Sequence, residues 1–478
     1  MIGWEKQCLD LLNQGHFSIV DAGPLHAPVR GFSIHRDDNL HLILETEADP
    51  NAAPAVIIPA DGMTRLSTES ARLVNIAGVE AVLTGVQPYG LTRHEDWSQP
   101  HRSMVKETAR VSRLTMTPGD LGEAAYTIEW LENVPVSPFI WPDAIETVSE
   151  TKIAHRLAFT NDGLTVSSSN NRGNTSWNAA KLTVESQTFY VCALSKEERG
   201  VKAEPGCIIY AGMPDELLRR KIRVALSFCL GVYLVEMGHT FYDANWQIVS
   251  ATSRSAYSLT KRTFGPGPMP LAHLSRRNYL HDLDRAGLTR MVNALVTKYD
   301  ELDLGNLSWA YWHACAATVH IAPVHFGAAI EALLRASSAS HPDTVRTTII
   351  QKPQWRVVRE AINAIIDAAE ITEDSKRAMK DKTGEVNRAP LRAMLDDLVR
   401  SQGLQLSAEE YRAWQRRNAA AHGNPIPEGH ELDAIQDMKR LRGLFNRLLL
   451  SVTGAADFYI DYSSPNRPPR RLQDAPSP

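Results

Sequence analysis

The chain has 478 residues, 43% of them hydrophobic and 22% charged, with a net charge of −4. That length can bury a large core and divide into two or three domains, and the slight negative charge excludes a global basic field for nucleic acid. Five scattered cysteines, Cys8, Cys192, Cys207, Cys229 and Cys315, show no C-x-x-C or His/Cys ligand spacing, so a reduced cytoplasmic protein with no metal site and no cofactor is expected.

The chain begins Met1-Ile-Gly-Trp-Glu-Lys-Gln-Cys8, with no basic head followed by an apolar run, so a secretory leader is not expected. Residues 1–210 read as β-rich. Phe32 and Ile34 alternate with polar neighbours before Asp37-Asp-Asn39, and Leu40, Leu42 and Leu44 alternate after it, which is a hairpin pattern. Ile153, His155, Leu157 and Phe159 run into Asn161-Asp-Gly163, a strong turn signal, and Leu182, Val184, Phe189 and Val191 keep the period of two. Many short strands separated by turn residues predict an antiparallel sandwich or barrel. His35, His41 and His155 lie on or beside these strands and read as structural or surface residues.

From Pro214 the period lengthens, and residues 211–280 are expected to form a helical connection. Its most apolar stretch, Val224–Val235, falls short of the roughly twenty residues that span a bilayer and reads as a buried helix. The flanking Arg219-Arg-Lys-Ile-Arg223 reads as a solvated face, with phosphate contact as the alternative. Gly265-Pro-Gly-Pro268 interrupts the pattern. Residues 281–462 then read as an α-helical domain, because Leu288, Met291, Val292, Leu295 and Val296 have helical spacing, as do Val357, Val358, Ala361, Ile362, Ile365 and Ile366. Pro323 should divide or kink the segment Trp309–Arg335. Residues 463–478 are expected to be a disordered tail. The class is therefore α+β, with the β-rich part first.

Arginine outnumbers lysine 37 to 14, a bias that suits bidentate phosphate contacts at local sites and that a high-GC genome would also produce. Lys376, Arg377, Lys380, Lys382, Arg388 and Arg392 form the best candidate surface for an RNA backbone; a solvated helix face interspersed with Asp374, Asp381 and Glu385 is the alternative. Trp355, Tyr411 and Trp414 are candidates for stacking on bases, although aromatic residues at helical spacing also build cores.

The sharpest signal lies in Tyr411-Arg-Ala-Trp-Gln-Arg-Arg417-Asn418-Ala-Ala-Ala-His422-Gly423. An arginine holds a phosphate through a fixed fork of donors, and a histidine exchanges protons near neutral pH. Spacing alone proves little, since Arg30/His35, Arg36/His41 and Arg276/His281 share it. Context separates Arg417/His422: helix-compatible residues lead in, and Gly423 and Pro425 stop the helix, which leaves His422 at a C-terminus where the macrodipole favours a cation. At about 100° per residue, positions 418 and 422 share a face while Arg417 lies about 140° from His422.

This stretch resembles the R-[polar]-x3-H motif of HEPN ribonucleases, and the wider chain is similar to the ApeA-type members that act in abortive infection against phage. The segment Phe326-Gly-Ala-Ala-Ile-Glu331-Ala-Leu-Leu334, about ninety residues upstream, is similar to the first motif helix of such domains. Asn387-Arg-Ala-Pro-Leu-Arg392, Asp457-Phe-Tyr-Ile-Asp-Tyr462 and the long β-rich region that precedes the helices also fit the family. The resemblance implies a metal-independent endoribonuclease cutting RNA, such as tRNA or mRNA, to 2′,3′-cyclic phosphate and 5′-hydroxyl ends. It implies His422 as general acid/base, Arg417 on the phosphate, Asn418 orienting the imidazole and Glu331 holding the pair. It further implies a homodimer, a sensing role for the β-rich part and a phage-derived trigger. A non-catalytic HEPN scaffold or adaptor is the alternative, and no membrane association is expected.

Overall fold

The computed structural model describes residues 6–14, 16–54, 69–94, 104–117, 123–136, 139–158, 163–194, 206–256, 268–274 and 282–476. Antiparallel β-structure comes first and helices follow. The chain divides into two compact units, one comprising residues up to Met269 with Leu274–Thr289, the other Pro270–His273 with Arg290–Pro478.

In the first unit, helix α1 (Lys6–Gln14) precedes two antiparallel sheets. The smaller pairs β2 (His26–Arg36), β3 (Leu42–Pro54), β7 (Met104–Val111) and β6 (Gln87–His94), in that order. The larger runs β1 (Phe17–Asp21), β4 (Ser70–Asn75), β5 (Glu80–Thr84), β8 (Arg113–Thr117), β15 (Ile248–Arg254), β14 (Glu236–Tyr242), β9 (Tyr126–Leu131), β13 (Gly206–Ala211), β12 (Gln187–Ala193), β11 (Gly163–Val184), β10 (Asp143–Ala158). Ile34, Leu42, Leu44, Ala109 and Val111 of the small sheet share one core with Leu73, Leu83, Leu114 and Met116 of the large one. Inward positions two apart along each strand bring this about, and each fully buried aliphatic side chain contributes roughly 1.5–3 kcal/mol.

The expected hairpin at residues 32–44 forms with Ile34 opposite Leu44. Asp37 closes its turn by accepting from the backbone N–H groups of Asn39 (2.9 Å) and His41 (2.8 Å). Strands β10 and β11 pair across Ala158 and Gly163, whereas Phe159, Asn161 and Asp162 lie outside the described residues, as do residues 265–267 of the Gly-Pro break.

Residues 211–280 depart from the helical connection expected of them. They supply helix α2 (Glu216–Leu230), but also β14 and β15, which sit inside the large sheet between β9 and β8. The helix ends within the apolar stretch at Gly231, which adopts φ +70° and caps α2, so Leu234 and Val235 belong to the path into β14. His239-Thr-Phe-Tyr242 then takes the extended conformation its β-branched and aromatic residues favour. The basic flank of α2 is not simply a solvated face. Arg219 is buried over the Phe241 ring, and Arg223 bonds to Glu129 and Glu236 on the sheet beneath.

The second unit holds α4 (Leu304–Ala316), α5 (Ala322–Ser340), α6 (Lys352–Ala368), α7 (Glu373–Val386), α8 (Leu391–Ser401), α9 (Ala408–Ala421) and α10 (Glu431–Thr453), preceded by α3 (Arg285–Thr297). Pro323 falls in the first turn of α5, where its missing N–H costs nothing, so the expected break separates α4 from α5. Phe326, Ile330, Leu333 and Leu334 form the buried stripe of α5. Tyr311 of α4 stacks on Phe445 of α10 at 4.9 Å and meets Phe326 edge-on at 6.0 Å, which fixes these three helices together.

Residues 463–476 are not disordered as the Pro/Ser/Arg composition of the tail suggests. Strand β17 (Pro469–Arg471) pairs with β16 (Phe458–Ile460), Leu472 is buried, and Arg470 donates to the buried carboxylate of Asp461 at 2.8 Å. Burial alone would raise Asp461, but donors from Ser463, Ser464 and Arg470 outweigh it and hold this carboxyl below its usual range. Among the described residues no helix is long and apolar enough to cross a membrane.

Candidate active site

Helix α9 starts with a reciprocal cap. The N–H of Glu410 donates to the Ser407 hydroxyl (3.1 Å), and the N–H of Ser407 donates to the Glu410 carboxylate (2.9 Å). Such a cap is worth about 1 kcal/mol and sets where the helix begins. Glu410 also binds Arg447 of α10 at 2.7 Å, both side chains being fully buried. Arg447 in turn donates to the carbonyls of Gln405 (2.7 Å) and Leu472 (3.0 Å), so one guanidinium ties α9, α10 and the tail. Ala413 and Trp414 face the core.

Arg417 follows one turn after Trp414 and lies over its ring, with the guanidinium carbon 3.5 Å from the centroid. The side chain runs along α5 at Gly327, where a Cβ would approach the Arg417 Cδ to 2.7 Å. Any larger residue there would displace it. Burial lowers the Arg417 pKa from its ordinary value, and the charge of the Glu331 carboxylate opposes that shift. The Arg417 Nε is buried and has no hydrogen-bond partner. A half-buried guanidinium is suited to an anion through the N–H groups it keeps at the surface.

Glu331 is engaged elsewhere as well: it accepts from Arg335 on the next turn at 2.6 Å. His422 stands immediately beyond the last residue of α9, exposed, with Gly423 at φ +72° ending the helix. It thus occupies the expected helix end, and at about 100° per residue an ideal helix would set it about 140° around from Arg417. Position 418 shares that face; the Asn418 side chain lies outside the described residues. The helix therefore offers a phosphate-binding group and a proton-exchange group on one segment, at positions about 140° apart by helical geometry.

Of the six candidate RNA-binding cations, Lys376, Arg377, Lys380 and Lys382 lie on α7, Arg388 follows it and Arg392 is on α8. Five face carboxylates: Lys376 with Glu373 (3.1 Å), Lys380 with Asp367 (2.5 Å), Lys382 and Arg388 with Glu385 (3.6 and 3.8 Å), Arg392 with Asp396 (4.0 Å). Arg392 also lies over Tyr411, whose hydroxyl bonds Asp396 at 2.7 Å. The cluster is a mixed-charge surface more than a basic one. His41 pairs with Asp37 (3.1 Å), as a structural residue would; His281 and Arg276 lie outside the described residues.

Sequence reading missed a cavity of about 420 Å³ beside α9, lined by Ala413, Arg416, Ala420, Pro425, His430 and Asp437 among others. Asp437 is buried and accepts from Arg416 (2.6 Å) and Arg440 (3.2 Å). The i, i+3, i+7 spacing of positions 413, 416 and 420 was the available signal. Cys192 and Cys207 are also neighbours across β12 and β13, both as free thiols, which their fifteen-residue separation did not reveal. Among the described residues no group of three or more His, Cys, Asp or Glu is placed to hold a metal ion. Comparison with protein-family models, curated proteins and solved structures finds no match to this chain.

Proposed function

We propose that this protein is a cytoplasmic HEPN-type endoribonuclease of the ApeA kind, an effector of abortive infection. It cleaves RNA by attack of a 2′-hydroxyl on the adjacent phosphate. The 2′-oxygen forms a bond to phosphorus, the bond to the 5′-oxygen breaks, and the leaving oxygen takes a proton, giving a 2′,3′-cyclic phosphate and a 5′-hydroxyl. His422 moves these protons, a contribution of typically about 10²–10⁴-fold. Arg417 stabilises charge on the phosphate, Glu331 steadies Arg417, and Asn418 orients the imidazole.

The observation that carries this reading is the Arg417 guanidinium, held by Trp414 and Gly327 with its buried Nε unanswered, five residues before an exposed histidine at a helix end. Positions 417 and 422 are about 140° apart by helical spacing, which favours a working site that draws its second group from another copy, a homodimer with its two motif helices across a two-fold axis. The β-rich unit holds the enzyme inactive until a phage-derived trigger is sensed.

The test is incubation of purified protein with total cellular RNA in EDTA, wild type beside His422→Ala and Arg417→Ala, with chemical mapping of new ends. Cyclic-phosphate ends produced by the wild type alone support the reading. Metal-dependent cleavage, or cleavage undiminished in both variants, overturns it. A second reading, a non-catalytic HEPN scaffold, draws on the same separation of Arg417 from His422; RNA retained but left intact by a triggered wild type would favour it.

A further inference from the structure

Directly after the motif the chain runs His422-Gly-Asn424-Pro-Ile-Pro427, and residues 424–427 line the cavity of about 420 Å³ beside α9. Protein interiors rarely leave a void much larger than a water molecule, whereas small-ligand sites begin at about 300 Å³. Ala413 and Leu441, both fully buried, face this cavity, and Pro323, Pro425 and Pro427 add rigid apolar walls. Its polar groups are few. Asn424 carries an amide that both donates and accepts, and Arg416, though bonded to Asp437 at 2.6 Å, keeps 45% of its side chain exposed. The His430 ring stands 3.0 Å from Asp433, so cations and carboxylates are matched here and the cavity makes a poor site for a bare phosphate. An apolar slot with a few hydrogen-bonding groups suits a planar heterocycle.

The position of the cavity says what carries that heterocycle. Pro323 of α5 lines it, and Gly327, one turn further along the same face of α5, lies against the Arg417 side chain. Four residues of helix advance about 6 Å, a step comparable with the reach from a phosphate to the base beside it. On α9, positions 413, 416 and 420 fall within about 60° of one another by helical spacing, with 417 next to them and 418 and 422 further round. A copy that meets α9 on the 418/422 side therefore leaves the cavity open.

We infer that this cavity is a base-specificity pocket: one unpaired base of single-stranded RNA, next to the phosphate held by Arg417, inserts between the prolines and is read by Asn424 and Arg416. The substrate is then RNA cut in loops or other unpaired segments, where a base is free to splay out and offer its edge. The inference rests on the phosphate role given to Arg417 and adds the substrate class; its readout is base-dependent binding, which does not require cleavage.

The test uses the full chain in EDTA and short 2′-O-methylated strands, which cannot be cut by 2′-hydroxyl attack, abasic throughout except for one central A, C, G or U. Fluorescence anisotropy should show one of these bases bound about tenfold more tightly than the wholly abasic strand, the order expected for a single stacked base. Ala434→Phe fills the cavity from α10, outside the motif, and should bind every strand as weakly as the abasic one. Asn424→Ala should keep the gain over the abasic strand and lose the preference among bases, with the circular dichroism of both variants matching the wild type. A preference that survives Ala434→Phe overturns the inference, and so does equal or absent binding of all strands by the wild type. Saturable binding of nucleoside monophosphates without base-dependent binding of the strands would make the cavity a free-nucleotide site and also overturns it. Base-dependent binding that Ala434→Phe removes, by a protein that leaves RNA intact, would keep the pocket and remove the nuclease; cyclic-phosphate ends with no base preference beside the cut would do the opposite.

Discussion

Replacing Gly327 with alanine separates the stability of α5 from the placement of Arg417. Alanine in a helix interior is favoured over glycine by about 1 kcal/mol. The new methyl group would lie 2.7 Å from the Arg417 Cδ, closer than carbon atoms tolerate, and the nearest atoms belong to a flexible side chain and not to backbone. Arg417 should therefore swing off Trp414, losing a cation–π contact worth about 0.5–2 kcal/mol. The two terms nearly cancel, so unfolding free energy in urea should change by less than about 1 kcal/mol. Loss of one preorganised donor at a developing phosphate charge typically costs 10²–10³-fold in rate, so cyclic-phosphate ends should fall by about that factor. Cleavage at the wild-type rate with unchanged stability would refute the role given to the Arg417 position. A loss of several kcal/mol would refute the packing argument.

Three other outcomes follow from the same geometry. Arg447→Met leaves the buried Glu410 carboxylate unpaired and should cost about 3–5 kcal/mol, with Arg447→Met/Glu410→Leu recovering much of it; a single-variant loss below about 1 kcal/mol in urea unfolding would contradict this. Asp461 has a depressed folded pKa, so its contribution is complete above the unfolded value of about 3.9 and is lost as pH falls through the folded value. Proteolysis of the tail after Asp461 should accelerate only in that acid range, and Asp461→Asn should abolish the pH dependence. Because five of the six cations around α7 face carboxylates, Lys376→Ala/Lys380→Ala should change the slope of log affinity for RNA against log salt by less than about 1, half of what two free phosphate contacts would give; a drop near 2 would restore the cluster as an RNA surface.

The sequence by itself determined what depends on local periodicity and local chemistry. Alternation about Asp37-Asp-Asn39 specified the β2–β3 hairpin, the stripe from Phe326 to Leu334 specified the buried face of α5, and Pro323 and Gly423 punctuated helices where expected. These features are decided within one turn or one hairpin, where side-chain direction follows from residue number. The tertiary structure decided whatever needed a distant partner. Arg219 and Arg223 look like a solvated run until Glu129, Glu236 and Phe241 arrive from other strands, and the tail looks unstructured until Arg447 and Asp461 answer Leu472 and Arg470. The motif divided along the same line. Its place at the end of α9 was legible, but the slot that Gly327 and Trp414 build around Arg417 depends on α5 packing against α9, a contact about ninety residues apart that no local spacing encodes.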